Sequence, residues 1–195
     1  MKRSLISLAI MAALGLPARA TTHDVAFGFR MGAGFPGDVN RSGAFSVLPA
    51  LMDTTNQVRL YGDPVLSNPA ANSVRGFLST DTGVTRIDGI LVRPYPTQQT
   101  TGGMSSALGA ATPPAGLVVV DVLRAGFAMV KCNNFAVNAS RRGDPVYVWI
   151  AATSGNNIQG GFVAASSGST ITIANARWAS PPDSSGIAEI EVWPA

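Results

Sequence analysis

In Ile187-Ala188-Glu189-Ile190-Glu191-Val192-Trp193, the residues Ala188, Ile190 and Val192 fall on one face and Glu189 and Glu191 on the other. This is the period of two that a half-buried strand requires. Working back from that segment, short apolar runs recur at Gln57 to Leu60, Val74 to Leu78, Ile87 to Val92, Leu117 to Val122, Phe127 to Lys131, Val146 to Ile150, Gln159 to Ala164 and Thr170 to Ile173. Each is bounded by Gly, Pro, Asn or Ser, as strands between tight turns are. Val25 to Arg30 alternates more weakly and suits a further short strand, while Ala44 to Met52, interrupted at Pro49, predicts a short helix or turn. The pattern predicts an all-β chain: an antiparallel β-sandwich or barrel-like domain or domains with long loops and an N-terminal apolar arm or helix.

Gly62-Asp63-Pro64-Val65 recurs as Gly143-Asp144-Pro145-Val146, and each copy precedes a Gly-Phe pair, Gly76-Phe77 and Gly161-Phe162. A Gly-Asp-Pro turn can start a strand whose first position needs no amide, so the echo suggests two related β lobes or one sandwich with repeated hairpins. A chance recurrence of a common turn is the competing reading. Residues 97–116 lack periodicity and are rich in Thr, Gly, Ser, Ala and Pro. They read as a connector, since so long an irregular stretch is usually a linker or a functional arm. The expected organisation is an apolar or signal-like segment over 1–24, a first β lobe over 25–96, this connector over 97–116 and a second lobe over 117–195.

Charge is scarce: 14 Lys+Arg and 11 Asp+Glu make 13% of the 195 residues, against roughly 25% in an average domain. Lys2, Arg3 and Arg19 hold three of those cations, which leaves residues 21–195 electrically balanced. Nucleic-acid binding relies on a cationic face that releases counterions, so no nucleic-acid partner is expected. No run of eighteen apolar residues occurs, so no conventional helical membrane span is expected either. Cys132 and His23 each stand alone, which rules out an intrachain disulfide and His/Cys zinc sets. No Gly-x-Ser-x-Gly elbow accompanies His23, and no acid, base and nucleophile can be grouped, so the chain is not expected to be an enzyme or to carry a cofactor. The body instead keeps Arg and three Trp while nearly losing Lys and Glu. Protein interfaces share that bias, because Arg loses less on desolvation and forks onto carboxylates and carbonyls.

Several motifs have simpler explanations than chemistry. Gly32-Ala33-Gly34-Phe35-Pro36-Gly37 spells a dinucleotide fingerprint, but Pro36-Gly37-Asp38 reads as a turn and no crossover helix follows. Asp38-Val39-Asn40, Asp81-Thr82-Gly83 and Asp88 lack the alternating acids and bidentate Glu of a calcium loop, so turn capping explains them better and no metal is expected. Glu189 and Glu191 project from one strand face rather than across a cleft, so they suit a solvated or subunit-facing edge. Residues 1–20 carry Lys2 and Arg3, the apolar run Leu5 to Leu16 and then Ala18-Arg19-Ala20, the pattern of a secretory leader. A retained apolar arm that docks on a partner is the competing reading.

The segment Ala26-Phe27-Gly28-Phe29-Arg30-Met31, followed by Gly34-Phe35-Pro36-Gly37-Asp38-Val39-Asn40-Arg41, resembles the opening of the structural cement (capsid decoration) proteins of tailed bacteriophages. The Gly-Asp-Pro-Val turns and the alternating last strand are similar too, so the resemblance spans roughly residues 25–195. It implies a β-rich accessory protein of the virion, a homo-oligomer (trimer or dimer) that binds across major capsid protein subunits and stabilises the shell without catalysis. It also favours a retained arm over residues 1–24, which precede the family pattern. Under this reading the loop Phe35 to Arg41 is the expected contact with capsid or sister subunit. Phe35 would be an aromatic anchor, Pro36 and Gly37 would fix the turn, and Asp38 and Arg41 would make charge-assisted hydrogen bonds. The competing reading packs Phe35 into the chain's own core. The alternative function, resting on the leader alone, is a periplasmic or secreted β-sandwich that binds a surface or builds an appendage.

Overall fold

A computed structural model of the chain describes residues 34–40, 43–94, 112–136 and 140–194. The apolar segment 1–24, the weak strand at Val25 to Arg30, most of the connector and Arg41 lie outside them. Every regular element among the described residues is a strand: β1 (Val39–Asn40), β2 (Ser46–Leu51), β3 (Pro64–Asn68), β4 (Ser73–Arg75), β5 (Gly89–Val92), β6 (Val119–Asn133), β7 (Pro145–Trp149), β8 (Phe162–Val163), β9 (Thr170–Trp178) and β10 (Ile187–Val192). The described residues are all-β and barrel-like, as their alternation implies.

The pairings close two rings on one shared strand. The first runs β6, β10, β9, β7, β8 and back to β6, antiparallel except where β8 meets β6. The second runs from β6 through β5 and β3 to β4, while β2 pairs with β6 and Met52 bridges Val74 of β4. Each ring has its own filling. Ala128, Val130, Cys132, Val148, Phe162, Ile173, Trp178 and Ile190 belong to the larger core, which Leu66, Ile90 and Leu123 extend. Met52, Val58, Tyr61, Val65, Val74, Leu91, Val120 and Val122 form the smaller one.

β6 serves both cores by changing phase. Val120 and Val122 face the smaller core, whereas Ala128, Val130 and Cys132 face the larger one. Between them the alternation slips at Leu123 to Gly126, where β2 carries a register shift between Ser46 and Val47. A bulge of this kind re-aims side chains and bends the strand. Gly126 has φ of 121°, and a Cβ there would lie 2.8 Å from that of Phe45. The runs Leu117 to Val122 and Phe127 to Lys131, expected as separate strands, are therefore one strand of 15 residues.

Other expectations need correction. Within Ala44 to Met52 the residues Ser46–Leu51 form a strand, not a helix or turn, and Pro49 is tolerated because of its place in the ladder. Met52 N donates to Val118 O (2.9 Å), so with Leu51 opposite Val119 the backbone of Pro49 faces away from β6 and no ladder bond is lost. Gln57 to Leu60 is an irregular segment rather than a strand. β10 is not an edge, since β6 and β9 flank it. Its outward glutamates find partners within the chain: Asn40 Nδ2 donates to Glu189 (2.8 Å) and Arg177 pairs with Glu191 (2.8 Å).

Asn175 ties the two rings together. Buried in β9, it accepts from Ile87 N (2.9 Å) and donates to Ile87 O (2.8 Å) and Trp193 O (2.9 Å). Cys132 is fully buried in the larger core, and burial pushes its thiol up to about 12. Thiolate is the reactive form, so a maleimide should leave the folded protein unlabelled and modify it only after unfolding. Labelling at native conditions as fast as that of free cysteine would contradict the placement.

Candidate functional site

Phe35 to Val39 folds by the same local chemistry as the two Gly-Asp-Pro segments. Asp38 N donates to Phe35 O (3.0 Å), Phe35 N donates back to the Asp38 carboxylate (3.1 Å), and Gly37 takes φ of 88°. Asp63 repeats the pattern with Leu60 around Gly62 (φ 89°), and Asp144 with Arg141 around Gly143 (φ 91°). Positive φ at the third position suits Gly, and the aspartate at the fourth caps the first amide. Each turn leads straight into a strand: β1, β3 or β7. The echo is thus a structural one, and the sequence reading caught two of its three copies. The missing signal was that Asp38 precedes Val39 instead of Pro, so the shared element is Gly-Asp.

The first turn is anchored from beneath by Arg93, which sequence reading did not single out. Arg93 Nε donates to Pro36 O (3.0 Å) and lies 3.9 Å from the Asp38 carboxylate. Its guanidinium carbon sits 6.0 Å from the Phe35 ring centroid and 5.3 Å from that of Tyr61. Cation–π contact of this kind holds an aromatic ring in one orientation. The backbone adds two further ties, Gly37 N to Met129 O (2.7 Å) and Arg93 N to Gly37 O (2.9 Å). A Cβ on Gly37 would come within 2.7 Å of the Tyr61 Cβ, so the turn stacks closely on the next one. Phe35, Pro36, Gly37 and Asp38 are therefore brought together, and Arg41 lies outside the described residues. Phe35 remains 42% exposed, so its ring does not fill the chain's own core.

Further exposed apolar side chains lie on both faces of β2 and the start of β6. Leu48 is 51% exposed, Leu117 62% and Val119 71%. Val119 lies opposite the half-buried Leu51 across the ladder, so the two share a face. No sequence motif marks these positions; the run Leu117 to Val122 gives no sign of which members stay outside. Since Pro49 lacks an amide, the far edge of β2 is a poor template for an added strand. Side chains, not backbone, are what this edge offers.

Asp81, which hinted at cation binding, and Asp53, which the sequence did not single out, are both spent on local structure. Asp81 takes a bidentate pair of bonds from Arg75 (2.8 and 2.9 Å) and caps Leu78 N (2.7 Å); its hydrogen bonds to Arg75 hold its carboxyl below the usual value. Asp53 accepts from Asn56 N (2.9 Å), Asn68 Nδ2 (2.6 Å) and Thr55 N (2.7 Å), which lower its carboxyl likewise. Among the described residues no three His, Cys, Asp or Glu side chains gather as metal ligands would.

Comparison with known proteins gives a family and a fold. The model of the XM1 gp53 minor capsid protein family matches residues 25–192. A chain in the solved capsid of the Myoviridae phage XM1 superposes with a TM-score of 0.55 at 18% identity, over 85% of this chain and 93% of that one. At this identity the likeness speaks for the fold. A search of curated proteins finds no match.

Proposed function

We propose, from the premise that the chain belongs to the XM1 gp53 minor capsid protein family and is thus a structural component of a phage virion, that it acts as a cement protein. In this reading it seats Phe35 and the exposed residues near β2 on neighbouring major capsid protein subunits, as a homo-oligomer and without catalysis. The supporting observation is the Phe35 turn: an exposed aromatic ring held by Arg93, Asp38 and two backbone bonds. Side chains fixed in advance lose little freedom on binding, so their burial converts efficiently into affinity. The arginine-rich, charge-poor composition points the same way. A protein that binds only the expanded shell shifts the equilibrium toward that state.

Co-sedimentation with shells assembled without this protein tests the reading. The wild type should pellet with them and raise the temperature at which they open. Phe35→Ala should weaken binding about tenfold, as expected for an anchor worth about 1.4 kcal/mol, while its own melting stays near wild type. Wild type that stays in the supernatant would refute the cement role, and undiminished binding by Phe35→Ala would remove this turn from the contact.

A further inference from the structure

A cavity of about 340 Å³ opens between the end of β6 and the loop that carries Gly155 and Asn156. Its walls are set before any partner arrives. Asn134, in the left-handed region (φ 46°), turns the chain as β6 ends, and the centre of the Phe135 ring comes to lie 5.7 Å from Lys131 Nζ. Gly186 backs that ring closely, since a Cβ there would collide with it. On the other wall Ser154 N donates to Asn157 O (2.9 Å) and Asn157 N to Ser154 O (3.0 Å). These bonds close a tight turn over Gly155 (φ 58°) and leave Asn156 exposed at its tip. Lys131 Nζ donates to Ser185 O, which fixes the ammonium as well.

The charges decide what kind of group enters. Lys131 and Cys132 are the only ionisable side chains of the lining, and burial keeps the Cys132 thiol protonated by pushing it up to about 12. The lining thus carries one positive charge. Arg59, Arg75, Arg93, Arg124 and Arg177 each meet a carboxylate of their own chain, whereas among the described residues no carboxylate comes within ion-pair distance of Lys131. Asp183, in the turn that Lys131 touches, is outside the lining, and its Oδ1 takes the amides of Ser185 (2.8 Å) and Ile187 (2.9 Å). An ammonium has three donors, and Ser185 O takes one of them. That bond is solvent-exposed, so an acceptor in the cavity can reach the others. A cation would be repelled here, and a neutral amide would gain no ion pair. A carboxylate gains that pair together with the N–H groups of the Asn134 and Asn156 carboxamides, which line the same space. A phosphate, with more than one charge, would be left partly unmatched by a single lysine.

We infer that this cavity receives a carboxylate side chain, Asp or Glu, from a loop of the shell subunit, with Lys131 Nζ as its ion-pair partner. The shell as the source rests on the cement reading; the carboxylate chemistry does not. Two measurements keep them apart. In the first, the isolated protein is titrated with N-acetyl-glutamate amide while the Lys131 side-chain resonances and the Asn134 and Asn156 amides are followed by NMR. Their shifts should be at least about threefold larger than with N-acetyl-glutamine amide. The Lys131 shift should be lost in Asn156→Trp, which fills the cavity from an exposed position and keeps the ammonium. Equal shifts with the two probes, no shift with either, or an undiminished Lys131 shift in Asn156→Trp would overturn the pocket. In the second, Asn156→Trp and Lys131→Met, which keeps the apolar stem, are checked for wild-type melting and co-sedimented with shells lacking the protein. Binding should fall about fivefold for each, as the loss of one partly exposed ion pair implies. If the wild type pellets and both variants pellet equally well, the shell is excluded as the source of the carboxylate. If the wild type itself stays in solution, the cement role falls and the titration alone judges the pocket.

Discussion

Asn175→Leu should cost the fold about 4 kcal/mol and lower the melting temperature by roughly 10 °C. Leucine keeps most of the volume but removes both ends of the amide, which now satisfies Ile87 N, Ile87 O and Trp193 O. Each buried backbone group left unpaired costs about 1–3 kcal/mol, and two of the three lie at Ile87, itself 1% exposed. For a chain of this size each kcal/mol moves the midpoint by about 2–4 °C. Asn175 joins β9 of one ring to the segment ahead of β5 of the other, so the loss should also uncouple them. Hydrogen exchange at Ile87 and Ile90 should quicken more than at Val130. A loss below about 1 kcal/mol would show that the amide is not what holds these segments.

The second large effect is a dependence on pH that comes from Asp63. Burial outweighs its pairing with Arg59 and pushes its carboxyl up to about 6, from an ordinary 3.8. Below pH 3.8 the folded and unfolded chains both hold this proton; between 3.8 and 6 only the folded chain does. Its contribution to stability is therefore complete below about pH 3.8 and lost as pH rises through 6. At about 1.4 kcal/mol for each tenfold change in proton affinity, the swing is about 3 kcal/mol. Asp53 and Asp81, whose carboxyls are lowered by their hydrogen bonds, act with the opposite sign, and their losses begin only at more acid pH. Between pH 4 and 7 the stability of wild type relative to Asp63→Asn should thus fall by about 2.4 kcal/mol, most of that swing, measured by urea unfolding. Parallel curves for the two proteins would refute it.

Both effects bear on the proposed role. A cement protein must survive as a rigid body while the shell pulls on it, and strands shared between two closed rings resist local opening because each loss exposes two cores. The contact elements, by contrast, sit on turns and at a ladder's outer edge, where side chains can stay exposed without weakening either core. The Gly37 and Arg93 ties make the Phe35 turn an extension of the rigid body rather than a loose loop.

The period of two in Ile187 to Val192 was enough to give β10 and its inward face, because alternation is local: it depends only on which side of a pleat each residue occupies. The same holds for the Gly-Asp turns, whose φ and capping bonds are contained within four residues. Charge balance, the lone Cys132 and the lone His23 likewise are read without coordinates. What lay beyond the sequence was every fact that depends on a distant neighbour. That β6 is one strand and changes face between Leu123 and Gly126 depends on Phe45 and on β2 pairing across the extra residue Arg124; that Arg93 seats Phe35 depends on 57 residues of intervening chain closing back on themselves. Which apolar residues remain outside, Leu48, Leu117 and Val119 among them, was equally undetermined, since burial is a property of the packed whole. Local propensity wrote the strands and turns, and the closure of two rings on one shared strand chose which of their residues stay free to meet a partner.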